Sequence, residues 1–253
     1  MIYSRLPVLF LGTITSEKYG AGNAAIASTL LNHIDEIKDF GIQEIADFCG
    51  VSVSSISRFC NQIGLSGFAE FKEILTSVDF TLERQSQALD QKDRFTEYEN
   101  NIVSAVHTAI HSVDKEKLSR LIKDIHQYDR VAIFGLLKAQ AAAISLASDL
   151  AFCGKQVYTN TSFASQMDHL KAANEKDLIL VFSYTGSFFE GNERSLSQRK
   201  KHPKIWMISG KDTCPSFVYD VLSFDSKLDH ASHPYQLCSV ATLIAQEYAY
   251  QYK

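Results

Sequence analysis

The segment IADFCGVSVSSISRF, at residues 45–59, leaves few folds open to the beginning of the chain. In it, Gly50 follows four residues after Ala46, and Ile56 follows six residues after Gly50. This spacing is typical of two short helices that meet closely. A small residue lies at the contact, a glycine supplies a positive φ in the turn, and an apolar residue points back into the core. The segment therefore predicts a helical hairpin.

The surface of the second predicted helix carries small polar side chains. Ser52 can cap this helix, and Ser54, Ser55, Ser57 and Arg58 follow in its first two turns. Small hydroxyls let a helix lie deep in the major groove and bond to phosphates or base edges. A plain core hairpin would explain the Ala-Gly-Ile spacing alone, but the cap, the serines and the arginine together favour a helix-turn-helix. We predict that these five residues contact double-stranded DNA.

The charge of this region is unusual for a DNA-binding domain. Residues 1–80 carry 5 Lys and Arg against 9 Asp and Glu, and the remaining residues carry 20 of each. Charges act within a Debye length of roughly 8–10 Å, so acidic residues that face away from the groove are compatible with binding. Near the motif, the basic residues are Lys38, Arg58 and Lys72. We therefore expect modest affinity that depends on two subunits and on backbone N–H contacts.

The second half of the chain has a different rhythm. Residues 78–100 are polar and poor in large aliphatic side chains, which indicates a linker or a long exposed helix. After them, short apolar segments such as RVAIFG, QVYT, DLILVFS, KIWMIS and DVLSF alternate with helical patterns. Strand–helix alternation at this spacing predicts a parallel sheet with helices on both faces. We predict an all-α domain at 1–77, a polar linker at 78–100 and an α/β domain at 101–253.

The N-terminal segment FGIQEIADFCGVSVSSISRFCNQIGLSGFAEFKEIL resembles the DNA-binding domain of RpiR-type transcriptional regulators. The run S-x-S-S-I-S-R-F and the following IGLSGFAEFK are its specific parts, and the resemblance covers roughly Ala25 to Leu75. It implies that a sugar isomerase (SIS) domain follows, which binds a phosphosugar and controls DNA binding. The fold expected from it is an all-α helix-turn-helix domain joined to an α/β SIS-type parallel-sheet sandwich.

The segment VFSYTGSFFE is similar to the SIS pattern S-x-S-G-x-T-x-E. Its matching residues are Ser183, Thr185, Gly186 and Glu190, while Phe188 replaces the threonine and Ser187 supplies a hydroxyl one residue earlier. We expect the segment to end a strand and open a helix, where free N–H groups bind a phosphate.

The earlier SIS loop resembles G-x-G-x-S, and this chain departs from it. The second glycine is replaced by Leu137 and the serine by Ala139, so a glycine and a hydroxyl of the pattern are missing. Lys138 either supplies a compensating charge or is a solvated lysine at a helix start. A phosphosugar site is therefore predicted from Lys138 together with the residues of the VFSYTGSFFE segment. A regulator with a vestigial effector pocket and a phosphosugar isomerase-like enzyme remain as alternatives.

Other features set limits on function. The five cysteines are irregularly spaced and form no C-x-x-C, which favours reduced thiols in the cytoplasm over disulfides or a metal site. No apolar run approaches the roughly 18 residues of a membrane span. His230 and His233 in the segment DHASH could serve proton transfer, but no partner for general acid–base work is evident. We expect no enzymatic activity and no cofactor, and a homodimer or homotetramer as the working state.

Overall fold

The computed structural model describes residues 5–18, 20–77, 86–199 and 201–253. These residues form two compact units. The first contains the described residues up to 77 together with Asn160–His169, and the second contains residues 86–159 and Leu170–Lys253. The predicted domain limits at 77 and 100 stay a prediction, and residues 78–85 of the predicted linker lie outside the described ranges.

The N-terminal helices are α1 (Arg5–Ser16), α2 (Gly22–Asn32), α3 (Ile42–Phe48), α4 (Val53–Gln62) and α5 (Phe68–Thr76), with a 3-10 turn at Glu36–Asp39. Their core is aromatic: the ring of Phe10 lies 6.0 Å from that of Phe59 and 6.2 Å from that of Phe71. All three rings are fully buried. Because α1, α4 and α5 each contribute one ring, burial of this cluster holds the helices of the unit together.

The beginning of α2 is satisfied by a carboxylate from the preceding residues and not by a capping side chain of its own. The N-cap residue is Ala21, whose side chain offers no hydrogen bond. Glu17 does this work instead, since its carboxylate accepts from Nδ2 of Asn23 at 3.0 Å and from the backbone N of Ala24 at 3.2 Å. A carboxylate at a helix N-terminus satisfies free N–H groups and opposes the positive end of the helix dipole.

The second unit is an α/β structure. Its elements are α6 (Gln91–Ser112), α7 (Lys115–Gln127), β1 (Arg130–Phe134), α8 (Lys138–Phe152), α9 (Phe163–Ala172, which the two units share), β2 (Asp177–Phe182), α10 (Glu193–Ser197), β3 (Lys204–Ser209), β4 (Asp220–Ser223) and α11 (His233–Tyr252). Asp114 caps α7, and its carboxylate accepts from the backbone N of Glu116 and of Lys117. Residues 91–100, predicted as part of a linker or a long exposed helix, are exposed and form the beginning of α6.

The four strands lie parallel in the order β1-β2-β3-β4. All six residues of β2 are buried, which means that both faces of the sheet are covered. On one face Leu178, Leu180 and Phe182 join a core formed with α7, α8 and α11. The α/β fold class predicted from the alternating pattern is confirmed.

The predicted strand QVYT is reduced to a single bridge. Tyr158 pairs with Ala132 on β1, through bonds of 2.8 Å from N of Ile133 to O of Tyr158 and from N of Tyr158 to O of Val131. Ala132 meets β2 on the opposite edge of the same strand. The chain therefore moves to one side of β1 before α9 and to the other side after it. The strand order reverses between β1 and β2, and such reversals are where open α/β sheets bind ligands at the carboxyl ends of the strands.

Candidate functional site

The helix-turn-helix of the first unit forms as the spacing predicts. Ala46 and Ile56 are buried between α3 and α4, at 0% and 1% exposure. Gly50 lies in the turn with φ of +64°, a conformation that costs glycine little. The backbone N of Val51 donates to the carbonyl of Ala46 at 2.9 Å, which closes the end of α3. The sequence folds locally here because each constrained position carries the residue type that tolerates it.

The N-terminus of α4 gathers the predicted DNA-contacting hydroxyls. Ser52 is the N-cap, and its Oγ accepts from the backbone N of Ser55 at 3.2 Å. The same Oγ lies 2.8 Å from Oγ of Ser54 and 2.9 Å from Oγ of Ser55. Ser52 and Ser54 are exposed, whereas Ser55 and Ser57 are half-buried. A cluster of short hydroxyls at an exposed helix start can donate to phosphates without steric obstruction.

The basic residues near α4 differ in their availability. Nζ of Lys72 donates to the carbonyls of Lys38 and Phe40, so this lysine ties α5 to the 3-10 turn. Lys38 forms an ion pair with Asp35 at 2.7 Å. Arg58 is exposed, and its Nε donates to the carbonyl of Ser54 at 3.4 Å. Of the three basic residues, Arg58 is the one that α4 presents to solvent.

The loop after β1 is constrained at Gly135 and at Leu137. A Cβ on Gly135 would lie 2.7 Å from the carbonyl carbon and oxygen of Ala139, so only glycine allows α8 to begin this close to the strand. Leu137 has φ of +49° and ψ of −111°, a conformation that glycine normally adopts. The leucine therefore stands in a glycine-type position under strain.

The loop after β2 does not open a helix, which corrects the prediction of a phosphate cradle at a helix N-terminus. Residues 184–192 form successive turns, and the next helix, α10, begins only at Glu193. Gly186 has φ of +77°, which turns the chain back on itself. The helix is displaced because Phe188 and Phe189 are buried and draw the chain into the core. Phe188 therefore belongs to the packing of the domain.

The hydroxyls of this loop lie at the predicted edge of the sheet. Oγ of Ser183 accepts from the backbone N of Phe188 at 3.1 Å, and Oγ1 of Thr185 lies 2.7 Å from Oγ of Ser187. Ser183 is buried, Thr185 half-buried and Ser187 exposed. Glu190 is exposed on the following turn, and its backbone N donates to the carbonyl of Ser187 at 3.1 Å. We call residues 183–187 the hydroxyl loop.

The loop after β1 contacts the segment between β4 and α11, and the hydroxyl loop contacts the first residue of α11. Nζ of Lys138 donates to the carbonyl of His230 at 2.8 Å, and burial lowers the pKa of this ammonium. Tyr184, within the hydroxyl loop, places its ring 4.7 Å from that of His233. Burial, followed by the charge of Lys138, lowers the pKa of His233 to about 4. At neutral pH the imidazole is therefore uncharged.

Three buried polar residues near this point, Asp229, Ser232 and Gln236, had no assigned role from the sequence. Gln236 donates from Nε2 to the hydroxyl of Tyr184 at 3.1 Å and to Oγ of Ser232 at 2.8 Å. Asp229 accepts from Oγ of Ser232 and from its backbone N. In the segment DHASH the histidines are recognisable as candidate proton-transfer groups, whereas the aspartate and serine beside them are ordinary turn residues by type. Their roles emerge only where the chain brings residues 184 and 236 together.

Two classes of site lack support among the described residues. They contain no group of three or more His, Cys, Asp and Glu side chains arranged to hold a metal ion. No helix within the described ranges combines the length and apolar character needed to cross a membrane.

The chain is similar to known transcriptional regulators, and the similarity to a family model lies in its first unit. Residues 13–79 match the family model described as the helix-turn-helix domain of the rpiR family. The HTH-type transcriptional regulator HexR of Pseudomonas aeruginosa is 26% identical over 64% of this chain and 58% of its own length. The first curated relatives are covered over 58% to 65% of their length, which is less than two thirds.

Solved structures show the same fold. The Vibrio vulnificus NanR protein complexed with ManNAc-6P aligns over 98% of this chain and 92% of its own, with a TM-score of 0.54 and 15% identity. The sugar isomerase domain of an RpiR transcription factor from Sphaerobacter thermophilus aligns over 62% of this chain and 90% of its own, with a TM-score of 0.52 and 17% identity. Residues 13–79 are therefore similar to the helix-turn-helix domain of the rpiR family, and the second unit shares the fold of the sugar isomerase domain.

Proposed function

We propose that the protein is a transcriptional regulator that binds an operator through α4 and senses a phosphosugar through its SIS fold. The observation that carries the first part is the start of α4, where Ser52, Ser54 and Arg58 are exposed on one helix end. Curated relatives are named as HTH-type transcriptional regulators, which supports the same reading.

The charge of the first unit determines how it would bind DNA. With Lys72 and Lys38 committed to neighbouring groups, each subunit brings few cations to the phosphates. Binding then depends on the hydroxyls of α4, on backbone N–H groups and on Arg58. A shallow salt dependence and cooperation between two subunits follow from this, because the slope of log K against log salt scales with the number of neutralised phosphates.

Selection of duplexes from a random pool, followed by fluorescence anisotropy, tests the DNA-binding proposal. Arg58→Ala is expected to weaken binding by about 1–3 kcal/mol if it contacts a base, or to reduce the salt slope by about one if it contacts a phosphate. The matched control is Lys123→Ala, which removes an exposed charge from α7 in the other unit. Equal affinity of the folded Arg58→Ala variant and the wild type would exclude Arg58 from the interface.

The phosphosugar part of the proposal rests on the position of the hydroxyl loop. Ser183, Thr185 and Ser187 follow β2 at the edge where the strand order reverses, and Lys138 begins α8 after the neighbouring strand. Hydroxyl donors, the turned backbone at Gly186 and one ammonium are groups that bind phosphate oxygens. NanR, which has the same fold, was solved with ManNAc-6P, and this supports a sugar phosphate as the ligand class.

Calorimetry with a panel of hexose, hexosamine and pentose phosphates, including ManNAc-6P, tests this part. A hydrogen bond to a charged group is worth about 1.5–3 kcal/mol, so Ser183→Ala is expected to reduce affinity roughly tenfold or more. Lys138→Ala is expected to cost a similar amount if the ammonium turns from the His230 carbonyl to the anion. Lys176→Ala is the control, because it removes an exposed lysine immediately before β2, at the amino end of that strand and away from the hydroxyl loop.

The panel also separates the alternatives. Absence of any binding below about millimolar would indicate a vestigial pocket, with the SIS fold serving assembly alone. Turnover of a bound phosphosugar would indicate an isomerase. His233 is a poor candidate for the base of such an isomerase, since an imidazole with a pKa of about 4 is a weak base at neutral pH.

Assembly into a homodimer or homotetramer is part of the proposal, since an operator read by few cations per subunit needs more than one recognition helix. Light scattering on the full chain measures this directly. A monomer at micromolar concentration, with or without phosphosugar, would refute it.

A further inference from the structure

We propose that Tyr184 is the positioning residue of the hydroxyl loop: its phenol anchors the loop to α11 and thereby fixes Ser183 and Thr185 for anion binding. The inference rests on the proposed phosphosugar function and adds a residue that does not itself touch the anion. Tyr184 lies between the two hydroxyl residues in sequence, so its placement constrains the backbone of both.

The phenol of Tyr184 is held by the buried Gln236 and by the backbone carbonyl of Lys227, whose residue is exposed. Its hydroxyl donates to the carbonyl of Lys227 and accepts from Nε2 of Gln236 at 3.1 Å. Tyr184 is 4% exposed and Gln236 is 0% exposed. The ring also packs near His233 and Phe224, with centroids 4.7 Å and 6.3 Å away. The bond between Tyr184 and Gln236 is buried, so it restricts the tyrosine more than a surface bond would.

Gln236 is fixed in turn, which makes it a firm support. Its Oε1 accepts from the backbone N of Lys227 at 3.2 Å, and its Nε2 also donates to the carbonyl of Lys227 and to Oγ of Ser232. Ser232 is bonded to Asp229, whose other carboxylate oxygen accepts from two backbone N–H groups. Each buried group of this network has a partner, and a satisfied buried network is rigid.

The backbone of Tyr184 is held from the opposite side. Its carbonyl accepts from N of Gly210 at 3.1 Å, and N of Ser183 donates to the carbonyl of Ile208 at 3.0 Å. A Cβ on Gly210 would lie 2.5 Å from Oγ of Ser226 and 3.0 Å from the carbonyl of Tyr184, so only glycine permits this approach. The loop after β2 is thus clamped between the end of β3 and the beginning of α11.

The anchored loop is preorganised, which would favour binding of the anion. An unanchored loop with several turns would have to be ordered when the anion binds, and that ordering reduces affinity. With Tyr184 anchored, Ser183 is presented without this cost. Removing only the phenol oxygen should leave the fold intact, since Gln236 keeps its bonds to Lys227 and Ser232. The ring itself is retained by phenylalanine.

The test is Tyr184→Phe, with affinity measured by calorimetry for the panel of phosphosugars and for inorganic phosphate, well below the unfolding temperature. We expect about a three- to tenfold loss of affinity, the equivalent of one intramolecular hydrogen bond. Tyr219→Phe is the matched control, because Tyr219 is 55% exposed next to β4. It should bind like the wild type.

A double-mutant cycle separates positioning from general stability. If Tyr184 acts through the hydroxyl loop, Tyr184→Phe should cost much less affinity in the Ser183→Ala background than in the wild type. An unchanged affinity of Tyr184→Phe, or full additivity with Ser183→Ala, would overturn the inference while the phosphosugar function stands. Absence of binding by the wild type would instead refute the proposed function, and with it the premise of this inference.

Discussion

Leu137 offers a sharp test of the loop after β1, because it is the one non-glycine residue with positive φ in the described ranges. Its φ of +49° and ψ of −111° are disfavoured for residues with a Cβ. Glycine tolerates them, and the SIS pattern has its second glycine at this position. Replacing Leu137 by glycine removes the strain, but it also removes the leucine side chain and makes the unfolded chain more flexible.

Comparison of Leu137→Gly with Leu137→Ala isolates the backbone term. Both variants lose the leucine contacts, and only alanine keeps the Cβ. At an unstrained position alanine is the more stable of the two by roughly 0.5–1 kcal/mol. Strain at an unfavourable φ and ψ costs about 1–3 kcal/mol. At Leu137 the order should therefore invert, with glycine more stable than alanine by about 1–2 kcal/mol.

Urea denaturation of the two variants measures the difference in unfolding free energy. The matched pair is Leu136→Gly and Leu136→Ala, because Leu136 is a neighbouring leucine whose φ is not positive. Alanine should be the more stable residue at 136 and glycine at 137. Greater stability of Leu137→Ala than of Leu137→Gly would show that the loop does not hold the glycine-type conformation.

Three further outcomes follow from the contacts described. Ser52→Ala should lower the unfolding free energy by about 1 kcal/mol, measured by denaturation, because the cap of α4 is lost. Asp124→Asn should lower it by at least about 2 kcal/mol, since the buried carboxylate bonds Nζ of Lys204 and Nε1 of Trp206, both at 2.8 Å. The folded pKa of His233, about 4, lies below its unfolded value, so the unfolded chain takes up the proton first as pH falls. The contribution of His233 to the unfolding free energy is therefore complete above about pH 6.5 and falls towards pH 4, by about 3 kcal/mol in total. In urea titrations from pH 7.5 to 4.5, His233→Gln should lack this pH-dependent contribution.

The helix-turn-helix could be predicted because its determinants are local. The cap at Ser52, the positive φ at Gly50 and the contact residues Ala46 and Ile56 are all set within a dozen residues. Each residue type there agrees with the conformation it adopts. The same holds for α7, whose capping aspartate immediately precedes the helix.

The first helix shows the opposite case. Residues 5–16 contain an apolar run in which helix and strand cannot be distinguished by periodicity. The helix is decided by the tertiary structure, since Leu6, Leu9 and Phe10 are buried. The ring of Phe10 packs near those of Phe59 and Phe71, which lie far along the chain. The sequence does not predict this helix, because it has neither a recognisable cap nor a clear polar face.

The loop after β2 departs from the helix start that its motif predicts, and the reason is also tertiary packing. A hydroxyl-rich segment with a glycine after a strand normally leads into a helix, and the motif carries that expectation with it. Here Phe188 and Phe189 follow directly, and their rings pack edge to face with centroids 5.1 Å apart. Burial of two aromatic side chains outweighs the few hydrogen bonds of an early helical turn, so α10 begins later.

These departures alter where the recognition of an anion must come from. Without a helix start after Ser183, the dipole contribution of the SIS pattern is absent from the hydroxyl loop, and the hydroxyls must be held in place by other means. Lys138 adds charge, but its ammonium is bonded to the His230 carbonyl, and an anion has to exchange that bond before it gains the lysine. A fixed loop is then worth more than an added cation, because preorganised donors lose nothing on binding. In the proposed pocket the anchor at Tyr184 would meet that requirement, since the Lys227 carbonyl and the Gln236 amide hold the phenol and thereby support the hydroxyl loop.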